Sequence, residues 1–180
     1  MAERIRSLRK ERSWTLEELS SRSEVSRAML SKIERGEASP TVVVAARIAS
    51  AFGIGLSDLV EAPHDRQTAQ VTPRKERRRF IDSKTGFVRE LVSPPFENRR
   101  FELVEHILPE GQSTGRLPAY PKGVEKQLVV HRGKLRVRIG DTSHELSLGD
   151  GLYFEADIEH EFENRGRGEC RYYLVVVAAK

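Results

Sequence analysis

Apolar residues in the first third of the chain recur at steps of three and four. This spacing places them along one side of a helix, so it predicts an all-α segment of five short helices. Thr15 followed by Glu18 is typical of a capping box at the start of the second helix, and Gly53 is typical of the end of the fourth. The five apolar stripes are Ile5 and Leu8; Leu16 and Leu19; Leu30 and Ile33; Ala45, Ile48, Ala49 and Phe52; and Leu56, Leu59 and Val60.

The second and third predicted helices are separated only by residues 23–25. Such a short connection sets the third helix across the second, which is a helix-turn-helix arrangement. If the third helix begins after Ser26, its apolar residues, Met29 among them, face the core, and its polar residues share the opposite face. Cations on that face could donate to guanine in a major groove. The polar positions are Arg27, Ala28, Ser31 and Lys32.

From about residue 81 the pattern changes to alternation with period two. Short alternating or apolar runs are separated by Gly, Pro, Asp and Asn, which predicts an antiparallel sandwich or barrel of about eight short strands. We therefore expect an all-α domain over residues 1–62, a linker over residues 63–80 and an all-β domain over residues 81–180.

The net charge of +4 comes from the predicted linker. Residues 63–80 carry six Lys and Arg against two Asp and Glu, whereas the two flanking segments are nearly neutral. Two interpretations stay open, a solvated spacer and an arm that contacts phosphates. The basic cluster consists of Arg74, Lys75, Arg77, Arg78 and Arg79.

The chain has no apolar run near the roughly 18 residues that a bilayer span requires, and its first residues do not resemble a signal peptide. We therefore expect a cytoplasmic protein without membrane contact. The chain has one cysteine, Cys170, which excludes a disulfide scaffold or a zinc finger within the chain. We expect Cys170 to be a buried strand residue.

The helical run TLEELSSRSEVSRAMLSKIERGEASPTVVVAARIASAFGIGLSDLV resembles the XRE family of helix-turn-helix regulators. The resemblance implies a lambda-repressor-like domain that binds double-stranded DNA. Leu16 departs from the Gln that many members have at that position. A helical module that binds another protein is the alternative. The DNA contacts that the resemblance implies are Thr15, Leu16, Arg27, Ala28, Ser31, Lys32, Arg35, Ser39 and Thr41.

The C-terminal runs PEGQSTGRLPAYPKGVEKQLVVHRGKLRVRIG and LSLGDGLYFEADIEHEFEN resemble the small cupin domain that follows an XRE domain in many bacterial regulators. The resemblance implies a double-stranded β-helix barrel. Metal-binding cupins use two histidines and a glutamate from the first motif and one histidine from the second. Here no histidine lies between His106 and His131, and Lys126 stands at the usual glutamate position. We therefore expect no catalytic metal and no cofactor.

The altered motif predicts a polar pocket at the barrel mouth. An ammonium beside an imidazole favours a small ligand with an anionic group. Two alternatives stay open: Glu125 neutralises Lys126, or His160 has a purely structural role. The predicted pocket residues are Tyr120, Glu125, Lys126, Gln127 and His160.

Together these features predict a transcription regulator, not an enzyme, that binds an operator and a small-molecule effector. One recognition helix covers few base pairs, so we expect a homodimer whose helices lie about 34 Å apart. The competing hypotheses are a cupin oxygenase, epoxidase or isomerase with a vestigial helix-turn-helix, and an antitoxin-like module that binds a partner protein.

Overall fold

The computed structural model describes residues 1–60, 70–94 and 101–177. Its N-terminal part confirms the predicted helical domain, with four helices of eight residues or more. The fifth predicted helix is a single turn of five residues. The helices are α1 (Ala2–Glu11), α2 (Leu16–Ser23), α3 (Arg27–Glu34), α4 (Val42–Phe52) and α5 (Leu56–Val60).

Local side-chain hydrogen bonds fix where the helices begin. The Glu18 amide donates to Thr15 Oγ1 at 3.1 Å and the Thr15 amide donates to Glu18 Oε2 at 2.7 Å, which is the predicted capping box. The Ser26 and Thr41 side chains accept from backbone amides in the first turns of α3 and α4. Gly53 ends α4 with a φ of 69°, a left-handed conformation that glycine adopts without strain.

The helices bury most residues of the predicted apolar stripes against one another. The side chain of Met29 is an exception, because it is 40% exposed and does not face the core as predicted. Its neighbours Leu30 and Ile33 fill that place. Fully buried residues of this core include Ile5, Leu19, Leu30, Ile48 and Phe52.

The C-terminal part is a β domain with nine strands in the described residues, against about eight expected. A six-stranded sheet has the order β1-β2-β3-β9-β4-β7 and a three-stranded sheet has the order β6-β5-β8. The strands are β1 (Arg79–Ile81), β2 (Val88–Leu91), β3 (Phe101–Leu108), β4 (Glu125–Arg132), β5 (Leu135–Ile139), β6 (Thr142–Leu146), β7 (Gly151–Glu155), β8 (His160–Asn164) and β9 (Cys170–Val177).

Alternation along the strands decides which side chains enter the barrel. Along β4 the side chains of Lys126, Leu128 and Val130 are buried, whereas those of Glu125 and Gln127 are exposed. Cys170 is buried at the start of β9, as predicted. In the described parts of the chain, no helix is long and apolar enough to cross a membrane.

The end of the predicted linker belongs to the β domain. Residues 79–81 form β1, and Arg79 Nε lies 2.6 Å from the Glu90 carboxylate, which is fully buried. Arg77 Nη1 lies 3.4 Å from Glu90 Oε2 and 3.5 Å from Glu105 Oε2. Glu105 is the cross-strand neighbour of Glu90. Two cations of the basic cluster are thus paired with buried carboxylates, which does not fit a phosphate-contacting arm. Residues 61–69 of the predicted linker lie outside the described residues.

The helical domain contacts the β domain through α4. At the start of α4, the backbone amide of Val42 donates to Asp82 Oδ2 at 2.9 Å. Further along, Val43 packs against the loop at Gly115.

Candidate functional site

The predicted DNA-facing side of α3 lies at the protein surface. The side chains of Arg27, Ala28 and Lys32 are exposed, and Ser31 is half-buried. The Arg27 side chain is 70% exposed, with a guanidinium nitrogen 3.9 Å from the equally exposed carboxylate of Glu17. An exposed pair at this distance contributes little to stability, so Arg27 can exchange Glu17 for another acceptor at small cost.

The exposed Met29 adds an apolar group that the sequence analysis missed. It lies one residue after Ala28 on the accessible part of α3. A thioether beside a small residue can pack against a thymine methyl, which polar positions alone cannot do. The position of Met29 in the first turn of a short helix was the feature of the sequence that could have indicated its exposure.

Arg35 forms a local network after the end of α3. Its guanidinium donates to both carboxylate oxygens of Glu37, at 2.6 and 2.8 Å, and also to Ser31 Oγ. The hydrogen bonds with Glu37 raise the pKa of Arg35 above its ordinary value. A phosphate that contacts Arg35 must therefore compete with Glu37.

The remaining predicted DNA contacts lie at helix starts. Thr15 and Thr41 cap α2 and α4 with their hydroxyl groups. Leu16 is half-buried against the helical core, and Ser39 is exposed before α4. Helix starts present backbone amides to phosphate groups, so these positions fit a backbone contact better than base recognition.

Lys126 and His160 meet inside the β domain. Lys126 Nζ lies 2.7 Å from His160 Nε2, and the two residues are 2% and 1% exposed. His160 Nδ1 lies 2.9 Å from the carbonyl oxygen of Ile158, to which it donates. The proton is therefore on Nδ1, and Nε2 accepts a hydrogen bond from Lys126.

The buried pair has unusual proton affinities. Burial, with a smaller contribution from nearby Arg89, lowers the pKa of Lys126 from 10.5 to about 7, against the opposing effect of Glu102. Burial, together with the charge of Lys126, lowers the pKa of His160 from 6.5 to about 3. His160 is therefore neutral at pH 7, which agrees with its role as acceptor.

Tyr120 covers the pair. Its ring centroid lies 4.4 Å from Lys126 Nζ, a distance typical of a cation–π contact. Burial raises the pKa of the Tyr120 hydroxyl. Three of the five predicted pocket residues are thus brought together: Tyr120, Lys126 and His160.

Glu125 and Gln127 do not join this cluster, because their side chains are exposed on the other face of β4. Successive side chains of a strand alternate between faces, and Lys126 points inward. Glu125 therefore does not neutralise Lys126. The carboxylate that raises the pKa of Lys126 is Glu102 on β3.

Three further polar residues inside the barrel were not predicted: Arg89, Glu102 and His106. Arg89 on β2 pairs with Glu102, and both are buried. His106 Nδ1 lies 3.0 Å from the hydroxyl of Tyr172, and burial holds the His106 pKa well below 6.5. The available signal was the phase of β3, in which polar residues occupy inward positions of an otherwise apolar run.

The residues at the barrel centre do not fit a divalent cation. His160 Nε2, the nitrogen available as a metal ligand, accepts from the Lys126 amine. Among the described residues, no three His, Cys, Asp or Glu side chains are grouped so that they could hold a metal. The amine of Lys126 thus occupies the place beside His160 where a metal would need to bind.

A cavity of about 330 Å³ lies between the helical domain and the β domain. Tyr120 borders it, whereas Lys126 and His160 lie behind Tyr120 and do not. Its walls come from α4, the turn before α5 and α5 itself on one side, and from the start of β3, the end of β9 and the loop before β4 on the other. The apolar lining residues are Ala46, Ala49, Ile54, Phe101, Pro118, Ala119, Pro121, Val124 and Val176.

Comparisons with known proteins agree with this architecture. The HTH_3 helix-turn-helix model matches residues 5–59 and the Cupin_2 cupin-domain model matches residues 105–177. Over 172 residues the chain is 27% identical to the HTH-type transcriptional regulator SutR of Escherichia coli (strain K12), covering 96% of this chain and 91% of SutR.

Solved structures are similar in fold. A crystal structure of an HTH_3 family transcriptional regulator from Vibrio cholerae has a TM-score of 0.81 at 22% identity, covering 100% of this chain and 96% of that one. Fe(II) HppE has a TM-score of 0.52 at 16% identity, covering 97% and 96%. The chain therefore carries an XRE-type helix-turn-helix domain followed by a cupin domain, and it is a homologue of the transcriptional regulator SutR.

Proposed function

We propose that the protein controls transcription by inserting α3 into the major groove of a specific DNA site. The observation that carries this proposal is the exposed face of α3, where Arg27 and Lys32 project from a helix held by a capped α2 and a buried core. A rigid helix with two accessible cations and two small or apolar side chains matches the pattern of groups in a major groove.

Replacement of Arg27 tests this proposal. Arg27→Ala is expected to weaken specific binding by about 1 to 3 kcal/mol and to relax the preference at one base pair. Competition binding assays on a selected site and its single-base variants measure both effects. Arg167→Ala, which removes an exposed β-domain arginine, is the matched control. Equal effects of the two substitutions would remove Arg27 from the base-reading residues.

We propose that the protein acts as a homodimer formed through the outer face of the six-stranded sheet. The β3–β9, β4–β7 and β4–β9 registers bring exposed apolar side chains to one face, away from Lys126. A two-fold arrangement of this face would cover them and present two recognition helices to DNA. Sedimentation of the full chain is expected to give the mass of two chains, and the mass of one would contradict the proposal. The exposed residues are Phe101, Val129, Tyr153 and Val177.

We further propose that the interdomain cavity binds a small effector. A mostly apolar cavity of this size falls within the range of small-molecule sites, and Tyr120 connects it to Lys126. An anionic group that reaches Lys126 must displace the Tyr120 ring and compete with His160. Native mass spectrometry of the purified full chain tests for a bound small molecule. Filling the cavity with Ser50→Trp should abolish any such binding, and unchanged binding would place the effector elsewhere.

A metal-dependent enzyme is the second candidate, favoured by the fold likeness to Fe(II) HppE. The Lys126–His160 contact argues against it, because His160 Nε2, the nitrogen that would bind a metal, already accepts from the Lys126 amine. Titration of the full chain with Fe(II), Zn(II) and Mn(II) separates the two. We expect no stoichiometric binding, and one metal per chain lost in His160→Ala would favour the enzyme.

A further inference from the structure

The contact between α4 and the β domain uses a backbone amide at the start of the helix. Val42 is the first residue of α4, and its N–H donates to Asp82 Oδ2 at 2.9 Å. The amides of a first helical turn have no partner within the helix, so they bind anions such as phosphate. Here that position is already taken by a carboxylate of the same chain.

Asp82 is held in place for this contact. Its other oxygen, Oδ1, accepts from the amides of Lys84 at 2.9 Å and Thr85 at 3.3 Å. The residue is 2% exposed, and its own backbone is bonded to Phe87 and Gly86 in the turn after β1. The carboxylate is therefore held by its own turn as well as by its contact with α4.

Two of the predicted DNA contacts flank the same amide. Ser39 is exposed just before α4, and Thr41 caps the helix immediately before Val42. A phosphate bound by Ser39 and Thr41 would lie over the start of α4, towards which the first-turn amides point, and among these amides that of Val42 is held by Asp82. One N–H cannot donate at full strength to Asp82 and to a phosphate at the same time.

We infer that Asp82 is an internal competitor of a DNA phosphate at the start of α4, so that the docked arrangement of the two domains restrains DNA binding. The inference rests on the proposed DNA-binding function. In the docked arrangement α3 stays exposed, but the backbone contact that would anchor α4 is blocked. DNA binding at full affinity then requires α4 to leave Asp82.

A ligand in the interdomain cavity could change the outcome of the competition between Asp82 and phosphate. Its walls come from α4 on one side and the β domain on the other, so a ligand that contacts both walls favours the docked arrangement. Such a ligand keeps the Val42 amide on Asp82 and lowers the affinity for DNA. The two sites are thereby coupled through one rigid helix.

Asp82→Asn tests the competition directly, because it removes the negative charge and retains a similar shape. We expect the full-length variant to bind a selected DNA site at least about threefold more tightly, with a salt slope steeper by about one per subunit. Asp141→Asn, at an exposed turn of the β domain, controls for the change in net charge. An equal gain in both variants, or no gain in Asp82→Asn, would overturn the inference.

Val42→Pro provides a second test, because it deletes the N–H itself. Proline is well tolerated at the first position of a helix, and Thr41 already has the extended conformation that proline requires, with φ −67° and ψ 165°. We expect Asp82→Asn to strengthen DNA binding in the wild-type background but not in the Val42→Pro background. A gain of the same size in both backgrounds would overturn the inference.

Amide exchange of Val42 reports on the contact without DNA. The Val42 amide is expected to exchange slowly in the wild type and at least about tenfold faster in Asp82→Asn, since a neutral acceptor makes a weaker bond. Equal exchange rates of the Val42 amide in the wild type and in Asp82→Asn would show that the Asp82 carboxylate does not hold this amide in solution, which would overturn the inference. If the wild-type chain binds DNA and Asp82→Asn does not bind it more tightly, this inference alone is overturned. If the wild-type chain selects no DNA site, the proposed function is overturned as well.

Discussion

Two arginine–glutamate pairs show how differently the two domains use charge. Arg27 and Glu17 lie at the surface of the helical domain, 3.9 Å apart and mostly exposed. Arg89 and Glu102 form a closer pair inside the barrel, where both are buried. Water can replace either partner of the first pair, whereas the second pair has lost its water. The surface charges are thus available for a new partner, and the buried charges are part of the folded structure.

This comparison predicts effects of very different size for two arginine substitutions on stability. Arg89→Ala leaves a buried carboxylate without its guanidinium, so we expect the free energy of unfolding to fall by about 3 to 5 kcal/mol. Arg27→Ala removes an exposed pair and should change the free energy of unfolding by less than about 0.5 kcal/mol. Urea denaturation of both full-length variants measures the difference. Similar losses in the two variants would contradict the comparison.

Lys126 is a second buried charge of the β domain, and its positive charge opposes folding. The unfolded chain binds a proton at Lys126 below pH 10.5 and the folded chain below about 7. The stability that is present above pH 10.5 is therefore lost as the pH falls towards 7. A tenfold change in proton affinity corresponds to about 1.4 kcal/mol, so Lys126→Met should raise the free energy of unfolding at pH 7 by about 2 to 4 kcal/mol.

Lys84→Met is the control for this substitution, because Lys84 is exposed on the same domain. Denaturation at pH 7 and at pH 10 separates the two cases. Lys126→Met should lose the dependence on pH that the wild type shows in this interval, and Lys84→Met should keep it. A destabilised Lys126→Met would mean that the hydrogen bond with His160 outweighs the cost of burial.

The helical domain was predictable because its signals are local. A capping box at Thr15, stripes at helical spacing and a glycine after α4 each act within one or two turns. The face of α3 followed from the same spacing, with Met29 as the exception. An apolar residue in the first turn of a short helix lies beyond the reach of the core, which the stripe does not reveal.

The barrel interior was less predictable because strand phase and register decide it. The sequence placed Lys126 and His160 together, but not Arg89 with Glu102, since that pair depends on how β2 and β3 align. Glu125 and Gln127 were assigned to the pocket although the alternation along β4 turns them outward.

The contacts of the basic cluster and of Asp82 depend on tertiary structure. Arg77 and Arg79 form part of a run that is typical of a phosphate-binding arm, yet both meet glutamates from strands later in the chain. Asp82 reaches a helix 40 residues earlier. Hydrophobic periodicity carries no information on such pairings, because they join residues that are distant in sequence and meet only in the tertiary structure.

Selection of binding sites from a random pool of duplex DNA directly tests whether the protein binds a specific DNA site through α3. The full chain is expected to enrich a two-fold symmetric sequence whose half-sites lie about one helical turn apart, roughly 34 Å. Arg27→Ala should enrich a site that is degenerate at one position of each half-site. Failure of the wild-type chain to enrich any sequence would contradict the proposed DNA-binding function. Enrichment of a single unpaired half-site would contradict the proposed dimer.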